Sequence, residues 1–478
     1  MPRARNLVST LLMLAFSSAG LLAENSADYD APYQSQALEI YRHSISLRTA
    51  AGHGKVPELA NYLADQLRDG GFPESDVRVL PFTTQTGEAT SGLVVRYPGN
   101  GSSGKGPILL IAHMDIVDAL PEDWERDPFT LIEEDGYFFG RGTLDCKFGT
   151  TMLISSFLRL KAEGFVPDRD LVIALTGDEE TSMSTTRELV TTHRDLTDAV
   201  FALNADAGGG TVAPNGKVQA FRVQAAEKTY ATFELTIRNP GGHSSAPRAD
   251  NAIYELAQAL GKIAEHRFPV QSNPVTQRYF RAVARITPGE MGEAMLRFAE
   301  DPTDQEAAKL VSTHGAFAGV TRTTCVATML RAGHAENALP QSATATVNCR
   351  IFPGVEVDEI GQELLRVAGN PEIELTVLGD PQASPASAAM AELDEALSAV
   401  LHERYPGLPI IPFMAPYATD GRETRSAGIP TFGVNGLFMN PREIFAHGLN
   451  ERVPVKAFYF GLDYWFDLLK ELTGAPSR

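Results

Sequence analysis

Apolar positions recur at helical spacing through residues 34–50 and again through 56–71, VPELANYLADQLRDGG, where a glycine pair suits a helix end. LVVRYPG then reads as a strand, GNGSSGKG as a loop, and ILLIAH as a strand that is apolar on both faces. A helix is predicted over Phe148–Glu163, closed by Gly164. DLVIALTGDEE is a second apolar strand running into acidic residues, Glu188–His193 continues a helix, and AVFALNAD is a third strand with a polar end. Buried strands alternating with helices predict an α/β domain with a mostly parallel sheet, whose ligands sit beyond the carboxyl ends of the strands. Three such ends carry His113 with Asp115, Glu179 with Glu180, and Asp206.

After Gly216 the pattern changes. KTYATFELTIRN alternates with period two, Asn251–His266 is an amphipathic helix, and TTCVATML and ATATVNCRIF are further strands. Val357–Val367 reads as a helix and IELTVLG as a strand, which makes residues 217–380 an α+β insert. Phe268–Gly333 is longer and more irregular than its surroundings and is expected to shape specificity. The α/β style returns with a helix from Ala388 to Tyr405, a loop through Asp420, the short strand TFGVNG and a last helix from Pro454 to Leu472. The division is therefore a larger domain over 24–216 and 381–478, interrupted by a smaller domain over 217–380.

At 478 residues the chain exceeds what one core supports, which fits two domains. Its net charge of −19 argues against a nucleic-acid partner, because such binding needs a basic patch to displace counterions. Residues 1–23 begin with Arg3 and Arg5, continue with an apolar run from Leu7 to Phe16, and end in small residues at Ala23. That layout is a secretory signal peptide; the run is shorter than the ~20 residues of a membrane span, so export to the periplasm or medium is expected, with no stable membrane anchor. Cys146, Cys325 and Cys349 are too few for a disulfide scaffold. Cys325 and Cys349 lie in two segments suited to be antiparallel neighbours, so a bridge is conceivable, but buried free thiols are the favoured reading.

His113, Asp115, Asp145, Glu179, Glu180, Asp206 and His447 are each ordinary when taken alone: a core histidine, a helix cap, an acidic helix start. Together they form a set of imidazoles and carboxylates suited to zinc, cobalt or manganese. A pair of metals ~3.5–4 Å apart needs a bridging carboxylate, a further carboxylate as base, and a carboxylate behind a histidine ligand to fix its tautomer.

These residues sit in segments that resemble a known family. IAHMDIVDA, WERDPFTLIEEDGYFFGRGTLDCKFG, ALTGDEETS, ALNADAGGG, NPGGHSSAPRADNAI, AENALPQSATATVNCRIFPG, ATDGRETRSAGIPTFG and FAHGLNERV follow one another in the order found in the co-catalytic zinc peptidases. That family includes aminoacylase-1, glutamate carboxypeptidase, succinyl-diaminopimelate desuccinylase and carboxypeptidase S, and the WxxDPF…DGxxxGRGxxDxK segment is most similar to the carboxypeptidase S-like branch. The resemblance implies a zinc-peptidase fold with a ferredoxin-like lid that also forms a homodimer interface. It implies that Asp145 bridges two zinc ions, that His113 and Asp206 complete one site, and that Glu180 and His447 complete the other. Asp115 would orient His113, and Glu179 would be the general base toward a metal-bridged water. From the lid, His243 would stabilise the developing oxyanion, often across the dimer, and Arg350 and Asn337 would contact the substrate carboxylate. Thr419, Asp420, Gly421 and Arg422 match a loop near the substrate. Two positions depart from the branch: Asp118 stands where proline is common, and Cys146 where Asp or Met is usual.

The activity implied is hydrolysis of peptide or N-acyl-amino-acid amide bonds in a small substrate, as a carboxypeptidase or dipeptidase. An aminoacylase or carbamoyl-amidohydrolase of the same fold is the alternative. A non-catalytic binding protein is the further one, and a dead relative should lack a ligand or the base, whereas none is missing here.

Overall fold

The computed structural model describes Tyr29, residues 31–315 and residues 317–474. The leader read over 1–23 lies outside the described residues.

Ile108–His113 is the central strand of a ten-stranded sheet. It pairs in parallel with Leu171–Thr176 on one side and Phe201–Asn204 on the other, and Thr431–Gly433 continues the parallel run. The reason for the unbroken apolar run is visible in the packing. Leu110 and Ala112 face the large core, Leu109 and Ile111 face a smaller one, and none is more than 1% exposed. Lys147–Ala162 lies in the large core with Pro32–Ser46 and Val455–Thr473 packed against it, so nearly all of its side chains are buried. The outer strands Val77–Thr83 and Ala89–Tyr97 are antiparallel, as is Gly209–Val212 against Val218–Glu227. The fold is thus α/β around a sheet whose centre is parallel.

Val218–Glu227 belongs to this large sheet, where Ile410–Ala415 joins it in parallel. The second sheet begins only at Thr229, so the strand after Gly216 belongs to the first domain rather than to the insert. Ile410–Ala415 falls inside a segment read as loop. Its sequence, IIPFMA, contains Pro412, which argues against a strand in a sheet interior.

The second sheet is antiparallel, in the order Thr324–Ala332, Ser342–Ile351, Thr229–Arg238, Glu374–Leu378. With the helices Ala252–Glu265 and Val357–Ala368 it makes the β-α-β-β-α-β connection of a ferredoxin-like unit. Burial alternates strictly along Ser342–Ile351, and the inward side chains Ala343, Ala345, Val347, Cys349 and Ile351 pack on the two helices. Cys325 and Cys349 face each other in register and are joined by a disulfide. The free-thiol reading is therefore corrected: pairing brings two residues 24 apart in sequence onto adjacent strands.

Phe268–Gly333 is not irregular throughout. It holds three helices, Pro274–Ala284, Glu290–Glu300 and Gln305–Thr313, with their own small core around Phe280, Met295, Phe298 and Val311. Asn273 and Asp304 cap two of them by accepting hydrogen bonds from Thr276 and Ala307 backbone N–H groups. The first of the three packs against Ile410–Ala415 of the large sheet.

Candidate metal centre

Adjacent parallel strands end side by side, and their loops bring His113, Glu179 with Glu180, and Asp206 together. Asp145 precedes the buried helix that starts at Lys147, and His447 arrives from the loop before the last helix.

Asp145 is the centre of the cluster. Its Oδ1 lies 3.0 Å from His113 Nε2 and its Oδ2 3.1 Å from His447 Nε2. His113 Nε2 is also 3.6 Å from Asp206, and His447 Nε2 is 3.0 Å from Glu180 Oε1. One carboxylate thus joins two groups, His113 with Asp206 and His447 with Glu180. Donor atoms of His113, Asp145 and Glu180 lie within 4.8 Å of one another, and so do those of His113, Cys146 and Asp206. The buried Cys146 thiol therefore stands among the donors, which its position next to Asp145 alone did not establish.

The electrostatics tests whether cations fit. Burial works against charge on His113, yet Cys146, Asp115, Asp145 and Asp206 outweigh it and hold the imidazole well above its usual value. Hydrogen bonds to Asp145 and Glu180 lift His447 to about 10. Burial pushes Glu179 well above the ordinary carboxylate range; His113 opposes this, while Asp206, Asp420 and Glu180 add to it. The carboxylates draw both imidazoles toward the charged form, so the cluster is short of positive charge. Divalent cations with neutral imidazole ligands meet that need, and the hard oxygen and borderline nitrogen donors suit zinc, cobalt or manganese.

Asp115 does more than stand behind His113. Its side chain is 3.5 Å from His113 Nδ1, which also lies 3.0 Å from the Asp115 backbone oxygen. Its two carboxylate oxygens accept the backbone N–H groups of Glu179 and Glu180, at 3.1 and 3.0 Å. One buried side chain therefore fixes the histidine and the acidic pair.

Sequence reasoning missed a second support. Glu451, fully buried, accepts the N–H groups of Leu144 and Asp145 at 2.7 and 3.1 Å and pairs with Arg141 at 2.6 Å. Arg141 in turn donates to the His447 backbone oxygen at 3.2 Å. Both residues lie inside family-like segments, GRGTLD and LNERV, and their opposite charge next to metal-capable residues was the available signal. Another buried pair, Glu227 with Arg425, fixes the 419–422 loop, Glu227 accepting the Thr419 N–H. Asp420 is not on the surface of that loop but buried, with Thr176 and Thr186 donating to it.

The cluster opens into a cavity of about 440 Å³. Asp145, Glu179, Glu180, Asp206 and His447 line it, as do Leu144, Leu437, Met439 and Ile444, the backbone of Gly208–Gly210, Tyr417 and Arg222. Burial and Asp206 hold the Tyr417 phenol up at about 12, with Arg222 opposing. The glycine run in ALNADAGGG has a steric cause. Gly208 has φ +89°, and a Cβ there would meet the Gly433 and Arg222 carbonyl oxygens at 2.4 and 2.6 Å.

The structure does not bring every candidate here. His243 is exposed on the short pairing Gly242–His243 with Ala338–Leu339, and its Nδ1 accepts the Ser245 N–H at 3.1 Å. Asn337 is next to it and accepts the Ser244 N–H through its backbone oxygen. Arg350 stacks over Tyr230 at 4.5 Å. None of the three lines the cavity within one chain.

Comparison with known proteins agrees with this architecture. Residues 109–471 match the profile of peptidase family M20/M25/M40. The chain is 28% identical to the N-fatty-acyl-amino acid synthase/hydrolase PM20D1 of Xenopus tropicalis over 76% of this chain and 72% of that protein. It is 27% identical to the probable carboxypeptidase S-like 2 of Dictyostelium discoideum over 80% and 74% of the two chains. The M20 family metallo-carboxypeptidase Sso-CP2 from Sulfolobus solfataricus shares the fold with a TM-score of 0.70 at 17% identity, covering 91% of this chain and 99% of that one. A match over this length, on top of the strand-end arrangement of histidines and carboxylates, makes the chain a hydrolytic enzyme of peptidase family M20/M25/M40.

Proposed function

We propose that this protein is an exported dinuclear-metal hydrolase of peptide or N-acyl-amino-acid amide bonds, acting as an exopeptidase or acylase on small substrates. The observation that carries the reading is Asp145, which presents one oxygen to each of two histidines, each with its own further carboxylate. Asp145 would be shared between two cations, His113 and Asp206 would complete one site, and Glu180 and His447 the other. When bound, the cations would polarise the scissile carbonyl and acidify a water molecule.

Glu179 lines the cavity and, among the described residues, has no histidine hydrogen-bonded to it, which suits it to take a proton. It accepts the proton of the attacking water and passes it to the leaving amine. Asp115 holds the Glu179 backbone through its N–H while steadying His113, so base and ligand keep one geometry. Leu144, Leu437, Met439 and Ile444 would offer an apolar surface to the group next to the carbonyl.

His243, Asn337 and Arg350 would reach the substrate from the smaller domain acting as a lid, with His243 crossing a homodimer. The exposed Val326, Met329 and Leu330 on the edge strand Thr324–Ala332 support pairing with a second copy there. The Cys325–Cys349 disulfide supports export to an oxidising compartment.

The test is amine release from a panel of dipeptides and N-acyl amino acids by the zinc-loaded mature protein, with Glu179→Ala beside it. Cleavage by the wild type and not the variant is expected, and the preferred substrate separates peptidase from acylase. Failure to bind two metal ions would overturn the site assignment.

A further inference from the structure

Arg222 is, among the described residues, the one basic side chain besides His447 that lines the metal-site cavity. It sits on Val218–Glu227, opposite Gly209 of the glycine run. Its guanidinium carbon lies 3.9 Å from the centre of the Phe413 ring, and Phe413 is itself buried on the neighbouring strand. Stacking holds the guanidinium plane and leaves its N–H edges free. Among the described residues those edges make no hydrogen bond or ion pair. Four other arginines near the site are committed to carboxylates: Arg141 to Glu451, Arg425 to Glu227, and Arg187 and Arg422 to Glu423.

A partly buried guanidinium whose N–H edges have no anion partner is available to receive one from a ligand. A planar fork selects a carboxylate in bidentate pairing. A more highly charged anion is disfavoured, because Asp145, Glu179, Glu180 and Asp206 line the same cavity. The apolar residues Leu144, Leu437, Met439 and Ile444 line the same cavity and suit a short methylene chain. Arg350, on the other sheet and outside the cavity, is the candidate for the amino-acid carboxylate.

Resting on the hydrolase reading above, we infer that Arg222 receives a second substrate carboxylate, carried at the end of the acyl group or side chain that occupies the cavity. The substrate class is then dicarboxylic: an N-acyl amino acid with an acid-ended acyl chain, or a dipeptide with an acidic residue before the scissile bond.

The experiment compares ligands differing by one carboxylate. N-glutaryl-leucine, N-pentanoyl-leucine and N-pentanoyl-leucinamide are titrated calorimetrically into the zinc-loaded Glu179→Gln protein, with Arg222 intact or changed to Met or Lys. Glutaryl is expected to bind about 30-fold or more tighter than pentanoyl, as a desolvated charge pair requires. Arg222→Met should bring that ratio to about one, and Arg222→Lys, which keeps charge without the fork, should keep part of it. The inference is overturned if wild-type Arg222 shows no glutaryl preference, if the preference survives Arg222→Met, or if Arg222→Met instead erases the preference for leucine over leucinamide. Turnover of the same acids by the protein with Glu179 intact tests the hydrolase reading separately, since binding ratios do not depend on cleavage. Unchanged unfolding profiles for the two Arg222 variants exclude misfolding as the cause.

Discussion

Removing the Glu451 carboxylate tests how much of the metal centre is built from outside it. Glu451→Ala leaves Arg141 buried without its partner and the N–H groups of Leu144 and Asp145 without an acceptor. Breaking a buried ion pair by deleting one partner costs about 3–5 kcal/mol. Each orphaned buried N–H adds about 1–3 kcal/mol where no water replaces the acceptor. These terms overlap, because Arg141 can relax toward the space left, so a loss of about 4–6 kcal/mol is expected. Glu451→Gln keeps the size and one acceptor but faces Arg141 with an amide, so it should fall between alanine and wild type. The loss should also reach the metals, since the same carboxylate fixes the backbone of Asp145, and Arg141 fixes that of His447. A drop in metal affinity of roughly 10–100-fold is the usual scale for such support. Urea unfolding of the metal-free protein reads the first effect, and zinc titration against a competing chelator reads the second. A loss below about 1 kcal/mol with unchanged zinc affinity would refute the reasoning, because a fully buried charge pair cannot be that cheap to break.

Four further outcomes are expected. Cys325→Ser with Cys349→Ser should cost about 3 kcal/mol for a loop of this length, read as a lower unfolding midpoint than wild type under oxidising conditions and as no difference once both are reduced. In the metal-free protein His447 has its value raised to about 10 by Asp145 and Glu180. Its stabilising contribution is therefore complete below the unfolded value near ~6.5 and is lost as pH rises toward about 10. Zinc binding at neutral pH should release protons, visible as a buffer-dependent binding enthalpy that shrinks in His447→Gln. Gly208→Ala should prevent stable folding of the site, because its Cβ meets two backbone oxygens at a positive φ; normal zinc binding by that variant would contradict the geometry.

Much of the large sheet was legible because its strands are buried on both faces. Ile108–His113 and Leu171–Thr176 are unbroken apolar runs too short for a helix of ordinary length and bounded by turn residues, which leaves a doubly covered strand. The helices of Pro274–Thr313 were not legible as a group. They are short and bury their apolar faces mainly against one another, apart from the first, which also packs on Ile410–Ala415, so no long period marks them. The caps at Asn273 and Asp304 are the local signals of where two of them start. Cys325 and Cys349 show the same limit from another side: either state was compatible with the pattern, and strand register decided for the bridge.

The residue types of the candidate metal centre, and the family they belong to, follow from the chain order alone. Local chemistry and spacing are properties of the sequence, and eight matching segments leave little freedom. What surrounds those residues is a matter of tertiary structure. That Glu451 serves Asp145 depends on a contact 306 residues away, and that Arg222 stands unpaired among the described residues depends on which carboxylates the fold gave to other arginines. Pairing of charges is a relation between distant side chains, fixed only when the sheet closes, and no periodicity along the chain encodes it.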